Sequence, residues 1–182
     1  MELQHKQFHN HEVEYWIRSA REEDAKRLSE IRLKIDGETE NLDREQGEDY
    51  IDEKAFKQLI KEDAQRGNNL FLVSEVNGEI VGYSRCEGKV LKRSAHKAEF
   101  GLAILKAFWG LGIGGNLLRE TVHWADEAGI KKVTLNVMET NDKAINLYKK
   151  FGFVIEGILK KDKQLSDGEF YNTVMMARFH GE

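Results

Sequence analysis

Proline is missing altogether from the 182 residues, and cysteine occurs once. At ~5% average usage a chain of this length would hold about nine prolines. Without them no X-Pro bond can slow folding, and every sharp turn falls to Gly, Asn or Asp. The lone Cys86 forbids an internal disulfide and supplies no cysteine framework for a metal. Long apolar runs are absent too: none approaches the ~18 residues of a membrane span, and no charged-then-apolar leader opens the sequence. The cytoplasm is therefore the expected compartment, with no membrane partner. Positive charge is also scarce. Lys and Arg total 28 against 32 Asp and Glu, a formal net charge of −4. A general nucleic-acid binder needs a basic face, so that class is not expected.

What is present is a soluble globular balance, 40% apolar and 33% charged, enough for one domain with a sizeable core. Residues 1–12 are polar and read as a flexible N-terminal tail, with a single domain over 13–182. His5, His9 and His11 fall in that tail, but no cysteine or close carboxylate pair completes a metal site, so no metal is expected.

Along the domain, Glu14 to Arg18 reads as a strand. Ser19 with Glu22 forms a capping-box pattern ahead of a helix with Leu28, Ile31 and Ile35 as its stripe and Gly37 as its stop. A second helix is predicted over Tyr50 to Gln65, burying Ile51, Ala55, Leu59 and Ile60. Leu70 to Val76, Asn77-Gly78, then Glu79 to Cys86 is a hairpin with a type I′ turn. Ala98 to Ile104 is a strand, and a helix follows the glycine loop with Leu118, Val122 and Ala125 inward. Lys132 to Val137 is the next strand, and Asn141 to Lys150 a short helix. Phe153 to Leu159 and Phe170 to Phe179 end the series. Antiparallel neighbours around one βαβ crossover make an α/β fold with a mixed sheet.

The most telling segment is Trp109-Gly110-Leu111-Gly112-Ile113-Gly114-Gly115, between strand and helix. The first N–H groups of a helix lack intrahelical partners, and its dipole favours negative charge there. Glycines let a phosphate approach those groups, so a ligand carrying phosphate or pyrophosphate is expected. Gly110-x-Gly112-x-x-Gly115, with Glu139 downstream, also fits the dinucleotide fingerprint of a nicotinamide-dependent oxidoreductase. Against that reading, Leu105 to Trp109 separate strand from glycine, and hairpins interrupt the repeated βαβ pattern. No Gly-Lys-Ser/Thr follows, which excludes a Walker loop.

The deciding stretch is Asn141-Asp142-Lys143-Ala144-Ile145-Asn146-Leu147-Tyr148-Lys149-Lys150-Phe151-Gly152-Phe153. With the loop before it, the chain resembles the GCN5-related N-acetyltransferase (GNAT) family. That family's phosphate loop runs Arg/Gln-x-x-Gly-x-Gly/Ala, occupied here by Trp109 to Gly114. Its Asn-x-x-Ala-x-x-Leu-Tyr-x-x-x-Gly-Phe signature is matched at every fixed position from Asn141 to Phe153. Two departures stand out: Trp109 replaces the first Arg/Gln, and Asn136 stands where some members carry a glutamate base.

The resemblance implies a GNAT-like acyl-CoA N-acyltransferase fold, a mostly antiparallel sheet with a central splayed parallel pair. It implies acetyl-CoA as donor and direct attack by a primary amine in a ternary complex. The pyrophosphate would rest on Gly110, Leu111, Gly112, Ile113, Gly114 and Gly115. The pantetheine arm would pair with Leu102, Ala103 and Ile104, with Asn141 and Ala144 completing the cofactor side. Tyr148 aligns with the family's tyrosine acid. Glu99 is the candidate base, on the strand leading to the donor, with His96 a second candidate. A non-catalytic CoA-binding module remains the competing class. The acceptor is expected to be a small-molecule or peptide amine, cationic in character. From Asp36 to Glu53 nine acids face one base, Arg44, and acids there would draw in a cation. A homodimer is left open.

Overall fold

The computed structural model describes residues 3, 5–10 and 13–181. Among them one sheet holds eight strands: β1 (Lys6–His9), β2 (Glu14–Ser19), β3 (Asn69–Val76), β4 (Glu79–Gly88), β5 (Lys97–Ile104), β6 (Lys132–Met138), β7 (Val154–Gln164) and β8 (Phe170–Phe179). The helices are α1 (Ala25–Glu38), α2 (Glu53–Gln65), α3 (Ile113–Glu127) and α4 (Asp142–Lys150). Strand order is β1-β2-β3-β4-β5-β6-β8-β7. Only β5 and β6 run parallel, and α3 is the crossover that a parallel pair requires. This is the expected mixed sheet with flanking helices.

Local chemistry sets these elements. Asn77 and Gly78 both take positive φ, 51° and 80°, and close the β3–β4 hairpin. The Asp52 carboxylate accepts the Ala55 N–H at 2.8 Å and starts α2. The Asn141 side-chain oxygen likewise accepts the Ala144 N–H at 3.2 Å and starts α4. Alternation along β5 then sorts its side chains. Even-numbered residues face α3 and α4: the Phe100 ring lies 6.3 Å from that of Tyr148. Odd-numbered residues face α1 and α2. Gly101 pairs with Arg85 of β4, whose guanidinium is gripped by Asp63 of α2 at 2.6 Å.

Four expectations need correction. The predicted tail contains a strand. Lys6 to His9 pair with β2, Phe8 stacks on Tyr15 at 5.6 Å, and Lys6 bridges to Glu120 of α3 at 2.6 Å. His5 sits 3.4 Å from Glu75, while Met1, Glu2, Gln4, His11 and Glu12 lie outside the described residues. Ser19 ends β2 instead of capping a helix, because Asp24 is drawn inward by Arg18 (2.7 Å) and the chain first makes a 3-10 turn, Glu22–Asp24. Gly37 lies inside α1, where a Cβ would stand 2.8 Å from the Gln46 side chain, so it permits a close approach and stops nothing. On α2 the buried ring is Phe56, while Ala55 is exposed.

Candidate active site

β5 and β6 share only three register pairs, Lys97–Lys132, Ala98–Val133 and Glu99–Thr134. Beyond Glu99 the strands part: β5 stays paired to β4 as far as Ile104, and β6 to β8 as far as Met138. The parity of the ladders fixes which backbone groups line the gap. Leu105 N–H donates to the Val81 carbonyl at 2.9 Å, so odd-numbered residues serve β4. The His96 carbonyl accepts from Lys131 and Lys132, so even-numbered residues point the other way. Phe100, Leu102 and Ile104 therefore aim N–H and C=O into the gap. On β6 the bond from His180 N–H to the Lys131 carbonyl gives Asn136 the same role, and Met138 with its N–H alone, since its carbonyl accepts the Asn141 N–H at 3.0 Å. Ala103, predicted alongside Leu102 and Ile104, spends its backbone on β4 and is 8% exposed.

Past Ile104 a 3-10 turn, Lys106–Phe108, leads through Trp109 into the glycine loop. Gly110 and Gly112 both have φ of +82°, and Gly112 is the N-cap of α3. No side chain caps this helix, and its first intrahelical bond is Asn116 N–H to the Gly112 carbonyl at 3.1 Å. The N–H groups of Ile113, Gly114 and Gly115 are thus left for an anion. The glycines have different reasons for being there. Gly112 needs its left-handed backbone. Gly114 seats the helix on β5, since a Cβ would come within 3.3 Å of the Leu102 and Ile104 side chains. Gly115 faces Leu147 of α4, 3.6 Å from a Cβ position. These features fit a pyrophosphate whose attached arm runs down the gap.

Tyr148 approaches from the α3–α4 side. It is 8% exposed, packed between Phe100 and Phe153 (5.8 Å), and burial pushes its hydroxyl up to about 12. Glu99 lies on the opposite face at the last paired level, half exposed, with Lys89 Nζ at 2.7 Å. Its carboxylate raises the Lys89 ammonium in turn. Asn136 is exposed on the Glu99 face, beside the gap. His96 is not brought near: six residues before Leu102 at ~3.3 Å each, it stands roughly 20 Å away at the closed end. Asn141 and Ala144, predicted on the cofactor side, are joined to each other as the cap of α4.

At the open end lies a cavity of about 450 Å³ between the end of α1, the loop Thr39–Asn41, Trp109, Met138 and Leu165 of the β7–β8 turn. Its acids are engaged. Asp36 holds Arg44 (3.0 Å), Glu38 accepts Lys106 N–H (2.7 Å), and Glu40 accepts Ser166 N–H (3.0 Å). Asp43 pairs with Lys163. The acidic loop and the basic hairpin are therefore clasped together across the cavity.

A sequence profile of the Acetyltransferase (GNAT) family matches residues 5–153. The chain belongs to the GNAT family. The L-amino acid N-acetyltransferase AaaT of Escherichia coli K12 is 33% identical over 108 residues, 59% of this chain and 66% of that protein. The chain thus spans just under two thirds of that relative's length. A GNAT acetyltransferase from Streptococcus pneumoniae superposes with a TM-score of 0.88 at 27% identity, covering 92% of this chain and 99% of its own. The yncA protein of Salmonella typhimurium, solved with its cofactor acetyl-CoA, gives 0.81 at 20% identity over 91% and 94%.

Three contacts in this GNAT chain were not legible in the sequence. Asn10 Nδ2, just past the end of β1, donates to the Leu111 carbonyl at 2.7 Å and steadies the glycine loop. Lys89 holds Glu99. Trp109 Nε1 donates to the Ile104 carbonyl at 2.8 Å. All join residues from separate elements.

Proposed function

We propose that this GNAT chain is an acetyl-CoA-dependent N-acetyltransferase that passes acetyl to a primary amine by direct attack. The gap between β5 and β6, ending at the uncapped start of α3, carries the reading. It suits one ligand that has both an amide-bearing arm and a pyrophosphate. The acetyl-CoA of the yncA neighbour and the N-acetyltransferase name of the AaaT relative support it.

The donor supplies an activated thioester. Leu102 and Ile104 would hold its arm by backbone hydrogen bonds, as an added strand, and the Ile104 N–H would polarise the thioester oxygen as charge gathers there. Gly110 to Gly115 would hold the pyrophosphate. Tyr148, from one face of β5, would donate to the departing sulfur. The amine would enter from the other face through the cavity and pass its proton along a file of waters toward Glu99, five residues of strand (roughly 16 Å) before Ile104. An alkyl ammonium near pKa ~10 is almost wholly protonated at pH 7, so such a base is needed. Glu40, held by the neutral Ser166 N–H, still presents negative charge at the cavity, which supports a cationic small-molecule or peptide acceptor.

Calorimetry tests the reading: acetyl-CoA binds and NAD does not. Binding of NAD alone would sink it. An amine panel with thiol detection then separates an enzyme from a CoA-binding module, which would release no thiol above background. Glu99→Gln is expected to lower kcat/KM most at neutral pH, where free amine is scarcest. Superimposable pH–rate profiles for variant and parent would remove Glu99 from the mechanism.

A further inference from the structure

Trp109 stands at the loop position where the family's pattern has Arg or Gln, yet its side chain is turned away from the start of α3. Its indole N–H reaches back to the Ile104 carbonyl at 2.8 Å. That carbonyl belongs to the last residue of β5 and points into the gap, where the sheet offers it no partner. The ring, 43% exposed, forms part of the cavity wall opposite the end of α1. One side chain thus touches the end of the donor channel and the acceptor cavity together.

Resting on the transferase reading above, we propose that Trp109 is a specificity-determining residue for the acceptor amine and contributes little to holding the donor. Two separable parts make up that role. The N–H ties down the end of β5, which keeps the Ile104 amide aimed at the reacting carbonyl. The ring is a flat, fixed wall, because its hydrogen bond removes the rotation a surface tryptophan would otherwise have. Amines of different shape or charge at their far end meet that wall differently. The donor, seated on backbone N–H groups of the glycine loop, does not meet it.

The test uses three acceptors that share a primary amine and differ beyond it: L-methionine, 1,4-diaminobutane and a short peptide beginning with alanine. Trp109→Leu is expected to change the ratio of kcat/KM between the best two by about tenfold. Acetyl-CoA affinity, measured by calorimetry, should stay within about threefold. Trp109→Phe, which keeps a ring but loses the N–H that fixes it, should lower kcat and change the ratio by less than Trp109→Leu does. A folding or donor-binding defect would instead lower all acceptors in proportion. Unchanged ratios, or a larger loss of acetyl-CoA affinity than of selectivity, would overturn the proposal. So would a parent protein that binds acetyl-CoA and acetylates none of the three, since the wall would then have nothing to select. No acetyl-CoA binding by the parent would be a different failure, that of the transferase reading itself.

Discussion

Tyr148→Phe is expected to lower kcat about a hundredfold and to leave acetyl-CoA affinity within about threefold. The substitution removes one oxygen and keeps the ring between Phe100 and Phe153. Among the described residues the hydroxyl has no protein hydrogen-bond partner, so folding loses nothing by the change and stability should hold or rise. The acidity argues for a particular kind of assistance. With the hydroxyl at about 12 and a free thiol near ~8.5, full transfer to sulfur is uphill by roughly 3.5 pKa units. In the proposed mechanism Tyr148 would therefore act as a hydrogen-bond donor whose hold tightens as charge reaches the sulfur. The stability sign follows from the same shift. The folded hydroxyl lies above its unfolded value of 10.0, so its contribution is complete below pH 10 and is lost as pH rises toward 12. Phenylalanine abolishes that share of alkaline destabilisation. An unchanged kcat would reassign Tyr148 to packing.

Gly112→Val is the second large effect expected, a loss of acetyl-CoA affinity of about tenfold or more. A left-handed backbone costs an L-residue roughly 1–2 kcal/mol, and a β-branched one tolerates it worst. At φ of +82° the chain escapes that strain by turning the peptide between Leu111 and Gly112. The turn reverses the Gly112 N–H and pulls the Leu111 carbonyl off Asn10, loosening the loop that leads into the free N–H groups. Space is not the difficulty, since the nearest atom to a Cβ there is the Tyr15 hydroxyl at 3.6 Å. Gly129 supplies the control, past the other end of α3, with φ of +73° and nothing within 4 Å of a Cβ. Valine there should cost comparable stability, read by thermal melting, with acetyl-CoA affinity unaltered. Equal weakening by both substitutions would mean that α3 binds nothing at its N-terminus.

The sheet and its single crossover were readable because the hydrophobic period, the Asn77-Gly78 turn and the glycine loop are local signals. The loop's place at the head of α3 and Tyr148's place on α4 were readable because their spacing is fixed. What escaped was set at long range. Lys6 to His9 look like any polar terminus until β2 offers an edge and Glu120 a partner. Ser19 carries a helix-cap pattern that the buried pairing of Arg18 with Asp24 overrides. The acids from Asp36 to Asp43 read as a charged rim, and only folding shows that Arg44, Lys106, Ser166 and Lys163 occupy them. Ala103 was assigned with its neighbours because a sequence does not reveal which parity of a strand faces the gap.

Within the sheet, among the described residues, three register pairs join the five strands from β1 to β5 to the three beyond. A donor lying in the gap would lengthen that seam, replacing absent rungs between Leu102 or Ile104 on one side and Asn136 or Met138 on the other. Ligand and scaffold would then share cohesion. A ligand that binds only the folded chain adds about 1.4 kcal/mol of stability for each tenfold excess over its Kd. The persistence of this protein against unfolding and proteolysis would accordingly follow the acetyl-CoA supply around it.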